Sequence, residues 1–192
     1  GRFALAAGLS DTRDFLAGST SRTVSALATA APRLGDAVAL DLFGFYATAD
    51  SDGFPEDSGG PELAVVRTLE RRQREQVALG ATLGVDVGAG ATAQVRAGWS
   101  RSNFDAQSPG IAPGVLDAVP ALETDSRFDR LEVVASIGAS ARDWLDVSMG
   151  ASYVQERGTS AGMVDAGFII PADYHLSRDM PGLFATATMR YP

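Results

Sequence analysis

From Val77 to Val87 every odd position is apolar: Val77, Leu79, Ala81, Leu83, Val85 and Val87. The even positions, Ala78, Gly80, Thr82, Gly84 and Asp86, carry almost no side chain. A period of two is the signature of a β-strand, whose successive side chains leave opposite faces. The odd row therefore makes one continuous greasy face and the even row a nearly bare one. A tilted strand needs ~9–11 residues to cross a bilayer, and this row is long enough to do so.

The same alternation recurs along the chain, while helical i, i+3, i+4 stripes are scarce. Eight strands are predicted, at 2–9, 19–31, 37–48, 74–87, 92–104, 127–141, 144–156 and 182–191. Tight connections at 32–36, 88–91 and 142–144 alternate with longer polar stretches at 10–18, 49–73, 105–126 and 157–181. Short turns at one end and long loops at the other are the rhythm of an outer-membrane barrel. The long stretches hold Pro55, Pro61, Pro109, Pro113, Pro120, Pro171 and Pro181, and strand interiors are expected to hold none.

One hairpin fixes a register. Leu131, Val133, Ala135, Ile137, Ala139 and Ala141 share a face, as do Leu145, Val147, Met149, Ala151 and Tyr153 across the turn. Pairing Ala141 with Leu145 leaves Arg142-Asp143-Trp144 as a three-residue loop, a favoured hairpin length. Ser140 then faces Asp146, Gly138 faces Ser148, Ser136 faces Gly150 and Arg130 faces Glu156. The 19–48 hairpin, whose "VSALATAA" offers two nearly equivalent faces, yields no register.

A soluble β-sandwich or lipocalin-like barrel also alternates, but its inner face carries bulky side chains packed to crystal density. Gly80, Thr82, Gly84, Ser136, Gly138 and Ser140 cannot fill a dry core. They suit a wall that faces water, a plug or inward-folded loops. The apolar rows then face lipid, where one Arg at the midplane costs ~2–4 kcal/mol. Asp86, Arg96, Glu132 and Asp146 all fall on the inward rows. In hydrocarbon only helices and closed barrels satisfy every backbone group. Trp144, Tyr153, Trp99 and Phe104 stand near strand ends, where interfacial aromatic belts lie.

With 192 residues the chain accommodates one domain or a piece of a larger one. Zero Cys excludes disulfides and thiolate metal sites. All 16 basic residues are Arg, and a net charge of −8 offers no basic stripe for nucleic acid. No apolar run is long enough for a transmembrane helix. The opening "GRFALAAGLSDTRDF" has no initiator Met, basic n-region or A-x-A site, so the chain is read as a mature or excised segment.

Within the first sixty residues, "GRFALAAGLSDTRDF" followed by "SRTVSALATAAPRLGDAVALDLFGFYATADSDGF" resembles the opening strands of the barrel in TonB-dependent outer-membrane receptors. Its matching pieces are Leu34-Gly35-Asp36, the strand "AVALDLFGFYA" and Asp52-Gly53-Phe54. "RRQREQVALGATLGVDVGAGATAQVRAGWSRSNFD" is similar to the next long hairpin of such barrels. The resemblance implies an all-β, antiparallel up-and-down transmembrane β-barrel, with residues 1–192 a single barrel segment of about eight strands within a barrel of about 22. It also implies import of a scarce nutrient, such as a siderophore, cobalamin or similar metal complex. TonB supplies the energy through a plug domain, and neither plug nor TonB box is found here. Partners are then outer-membrane lipid and lipopolysaccharide, the small-molecule ligand and TonB, in the bacterial outer membrane. No cofactor and no enzymatic step are expected. The alternative is a self-contained eight-stranded barrel with a structural or adhesive role, and an outer-membrane enzyme comes third.

Four candidate sites follow. Substrate contacts fall to loop bases and the upper lumen, at Asp50, Asp52, Phe54 and Arg101. Asp50, Asp52, Glu56 and Asp57 could hold Ca²⁺ through alternate oxygen ligands, although the EF-hand spacing is absent and acidic loops are ordinarily just solvated. His175, the single His, could act as a base with Asp173, Ser177 or Asp179, although neighbours in one loop rarely form a triad. Arg67, Arg71, Arg72 and Arg74 could meet lipopolysaccharide phosphates through guanidinium forks, a plain solvated strand end being the simpler reading. No P-loop, HExxH or GxSxG motif is present.

Overall fold

The computed structural model describes residues 1–13, 18–54, 68–110 and 120–189. They form one antiparallel sheet of nine strands without helices: β1 (Arg2–Arg13), β2 (Thr20–Ala31), β3 (Val38–Gly53), β4 (Glu70–Gly88), β5 (Ala91–Ser108), β6 (Ala121–Arg142), β7 (Leu145–Asp165), β8 (Ile169–Pro171) and β9 (Tyr174–Met189). Each strand from β1 to β7 pairs with the next in an up-and-down meander, and β8 and β9 both pair with β7. Met163 faces Pro171 and Ser160 faces Tyr174, so β8 and β9 continue one line along β7, interrupted at Ala172-Asp173. The sheet is not closed: β1 and β9 form its two edges.

The register sorts every strand into the same two faces, because directly paired residues project to the same side. Leu79 lies opposite Gly44 and Trp99, and Trp99 opposite Leu131. The apolar face collects Phe3, Leu5, Ala7 and Leu9 of β1 and Val24, Ala26, Ala28 and Ala30 of β2. β3 adds Val38, Leu40, Leu42, Gly44 and Tyr46. The odd residues of β4, β5, β6 and β7 extend it, and Leu183, Ala185, Ala187 and Met189 of β9 complete it. No charged residue interrupts this band on any strand. Phe3, Leu5, Leu79, Val95, Ile137, Met149 and Leu183 are all exposed, and Ala106 is the one buried apolar residue among those described.

At the end away from the tight turns the band stops on every strand. Its apolar row gives way to Asp11, Arg22, Asp50, Glu75, Arg101, Asp129, Gln155 and Asp179. Tyr46, Trp99 and Tyr153 occupy the last rows beneath this polar rim. Phe3 and Trp144 stand at the opposite end. Phe104, expected in the belt, instead lies on the other face beside Arg74, whose guanidinium carbon sits 5.6 Å from the ring centre. Even positions of β5 belong to that face.

The 131–156 hairpin keeps the pairs expected from sequence: Ser140 with Asp146, Gly138 with Ser148, Ser136 with Gly150 and Arg130 with Glu156. The closing pair differs. Arg142, not Ala141, faces Leu145, a bulge absorbs Ala141, and Asp143-Trp144 forms a two-residue turn. The hairpin left open pairs Ala30 with Leu42 and Thr20 with Asp52. Its turn contains Gly35 at φ 81°. Between β4 and β5 the chain turns through Gly88, Ala89 and Gly90, all at positive φ (82°, 53° and 73°), a geometry that favours glycine.

Several strands run well past the expected ends. β6 begins at Ala121 and β7 continues to Asp165, so much of 105–126 and 157–181 is ladder, not loop. Both faces of these extensions are mostly polar. The hydrophobic period vanishes there although the hydrogen-bond ladder does not. Pro171 and Pro181 lie within strands, contrary to expectation. Both occupy an edge position paired on one side only, where a missing N–H is tolerated.

Candidate functional site

The second face is less bare than its sequence reads. On β4, Gly80 pairs with Phe43 of β3, and a Cβ built on Gly80 would come 2.9 Å from Phe43 Cδ1. Gly158 of β7 lies against Phe128 of β6, with the corresponding distance 3.4 Å. Gly150 lies under the ring of Phe184 and against the carbonyl oxygen of Ala135. The glycines are thus seats for phenyl rings from neighbouring strands, a pairing that covers exposed backbone. Gly80, expected on a wall that faces water, a plug or inward-folded loops, is covered by a ring from the adjacent strand, which only a register reveals.

Between the rings runs a chain of ion pairs. Arg130 of β6 donates from Nη1 to Glu156 of β7 at 2.8 Å and from Nη2 to Glu132 at 2.8 Å. Arg178 of β9 donates to Glu156 through Nε at 3.0 Å and also through Nη2. Glu156 is buried by these partners. The Arg178 hydrogen bond, aided by the charges of Arg178 and Arg130, holds its carboxyl below the ordinary value despite desolvation. Farther out, Thr124, Ser126 and Ser160 share hydroxyl contacts, Ser126 to Ser160 at 2.8 Å.

A cavity of about 770 Å³ is bordered by residues of all strands from β1 to β6. Arg2, Asp41, Arg96 and Glu132 supply charges of both signs, and Thr29, Thr82 and Phe43 lie between them. Asp41, Thr82 and Arg96 share one row across β3, β4 and β5. Such a wall can hold a polar solute by paired charges and one aromatic face. Arg96 and Glu132, with Asp86 and Asp146, lie on the face opposite the apolar band, as their spacing predicted. Asp41 is legible in the same way, standing between Leu40 and Leu42.

The four residues expected to contact substrate do not share one hollow. Asp50, Asp52 and Arg101 fall on the polar extension of the apolar face and not on the cavity wall. Asp52 and Phe54 border a smaller hollow of about 400 Å³ with Arg72, and Asp50 borders another of about 440 Å³ with Gln73 and Arg127. Glu56, Asp57 and Arg67 lie outside the described residues. Among the described residues no three acidic or His side chains are grouped to hold a metal ion. Arg71 faces Asp52, whereas Arg72 and Arg74 point to the other face, so the arginine run is no single patch. Arg72 pairs with Glu70.

His175, Ser177 and Asp179 follow at alternate positions along one face of β9. Asp179 accepts from the Tyr153 hydroxyl at 2.6 Å and from Gln155 at 3.0 Å. Asp173 accepts from the Gly162 amide at 3.0 Å. Both carboxylates are thus engaged away from His175. No protein-family model matches the chain, and no curated protein matches its sequence.

Proposed function

We propose that this sheet is the wall of a β-barrel in the bacterial outer membrane, part of a larger TonB-dependent receptor barrel that imports a scarce nutrient without chemical change. The observation that carries the reading is the uninterrupted apolar band, exposed on every strand in a fold with almost no buried core. A water-soluble protein this size hides its large apolar residues, whereas a barrel turns them to lipid. Along β4 the band spans eleven residues, ~25 Å of bilayer depth for a strand tilted near 45°. The tight turns then face the periplasm, and the extended polar hairpins of β5 to β9 face outward. The second face with Arg2, Asp41, Arg96 and Glu132 supports passage or capture of a polar ligand. The TonB-dependent part rests on the resemblance carried by Leu34-Gly35-Asp36, which forms the β2–β3 turn, and Asp52-Gly53-Phe54, which ends β3. Plug, TonB and a siderophore- or cobalamin-like ligand belong to that reading.

A self-contained small barrel is the second reading. It is favoured by β8 and β9 sharing one place beside β7, which gives an even eight positions. The rings of Phe43, Phe128 and Phe184 help fill a narrow interior. Expression in outer membranes tests both. A folded barrel migrates differently on a gel before and after boiling, and energy-dependent uptake by the full-length protein then separates importer from anchor. Recovery as a water-soluble monomer without detergent would overturn both readings.

A further inference from the structure

We infer that Asp41, Thr82 and Arg96 bind the two charges of a small zwitterion, a free α-amino acid or a solute of like chemistry, with Phe43 meeting its apolar side group. The inference rests on the reading of this face as the watered side of a membrane wall, and adds the class of ligand that the cavity takes. The three polar residues stand in one row on β3, β4 and β5, with Thr82 in the middle. All three border the cavity of about 770 Å³. The row lies at the depth of the apolar band, because Leu42, Ala81 and Ala97 alternate with it on the other face. Ionisable groups at that depth are rare and mark the path of a solute or ion.

The neighbouring charges on this face are committed to one another. Arg130 holds Glu132 and Glu156, and Arg178 holds Glu156. Asp41, Thr82 and Arg96 have no ion pair or side-chain hydrogen bond among the described residues. Arg2, which also borders the cavity, lies on β1, on the side of Asp41 away from Thr82. Asp41 and Arg96 are two strand spacings apart, on the order of 10 Å between backbones. One charge of each sign, with a hydroxyl between them, fits a dipolar solute better than an anion or a cation. Its carboxylate accepts from the Arg96 guanidinium and the Thr82 hydroxyl, and its ammonium donates to Asp41.

The next row supplies the apolar contact. Phe43, Gly80 and Gly98 follow one another on the same three strands, with the Phe43 ring over Gly80. The ring keeps an open side, since Phe43 is 43% exposed. Gly98 leaves free floor beside it: a Cβ there would meet only the Leu79 carbonyl oxygen, at 3.9 Å. An apolar side group over Gly98 therefore packs against Phe43 while its charges reach the row below.

Phenylalanine is the probe, beside N-acetylphenylalanine, which keeps only the carboxylate, and phenylalanine amide, which keeps only the ammonium. Calorimetric titration of the folded protein in neutral detergent should show phenylalanine binding at least tenfold tighter than either derivative. Arg96→Gln should erase the advantage over the amide, and Asp41→Asn the advantage over the acetyl derivative. Each variant should lose about tenfold in phenylalanine affinity, with gel mobility still shifting on boiling. Equal affinity for the three probes, no saturable binding of phenylalanine, or unchanged selectivity in the two folded variants would each overturn the site. If the site fails while the protein still inserts into bilayers, the barrel reading survives; if it does not insert, both fall.

Discussion

Glu156 on β7 and Arg178 on β9 are joined by a hydrogen bond of 3.0 Å from Nε, with a second from Nη2, and Arg130 reaches the same carboxylate from β6. One carboxylate thereby ties three adjacent strands on the face opposite the apolar band. Its folded pKa lies below the ordinary value, chiefly because of Arg178. A depressed folded pKa contributes stability that is complete above the unfolded value of about 4.3 and is lost as pH falls through the folded one. Unfolding in urea should show a midpoint that declines below about pH 4.5 in the wild type. Glu156→Gln should lower the midpoint at pH 7 and flatten that acid decline. An identical acid slope in the variant would remove Glu156 from the account.

Gly150 has no room for a methyl group, since a Cβ would meet both the Ala135 carbonyl oxygen and the Phe184 ring. Gly150→Ala should destabilise the fold by about 1–3 kcal/mol through overpacking. Gly84→Ala, where the nearest neighbour is the Ala39 carbonyl oxygen at 4.0 Å, should stay within about 0.5 kcal/mol. Equilibrium unfolding of the two variants side by side checks the contrast.

Much of this architecture is legible in the residues themselves. The odd rows of β4 and β6 announce their faces, and the β6–β7 pairs from Arg130 to Ser140 follow from matching those rows across a short turn. What stays hidden has physical causes. The strand ends beyond Arg101 and Glu156 are mostly polar on both faces, so no hydrophobic period marks them. The bulge at Ala141 changes only which residue closes the turn. The bareness of Gly80 and Gly150 misleads because their coverings, Phe43 and Phe184, arrive from other strands. For the same reason Asp50, Asp52 and Arg101 look like an upper-lumen group in the chain. Their register partners put them on the polar extension of the apolar face, while Asp41 and Arg96 share the opposite face.

Leu83 lies within the apolar band and Thr82 beside it on the opposite face. Arginine at Leu83 should cost about 2–4 kcal/mol in bilayers, and arginine at Thr82 should cost markedly less because water or polar wall receives it. Unfolding of both variants in phospholipid vesicles reports the difference. Equal penalties would mean that the two faces see the same surroundings.

Nitroxide labels on cysteines placed singly at Leu79, Leu83 and Val133, and at Thr82 and Ser136, address which solvent each face meets. In bilayers, relaxation at the first three positions should respond to dissolved oxygen and ignore a water-soluble nickel chelate, with the chelate reaching Thr82 and Ser136. Labels at Leu79, Leu83 and Val133 that prove shielded by protein in a detergent-free, water-soluble monomer would contradict the membrane-spanning wall outright.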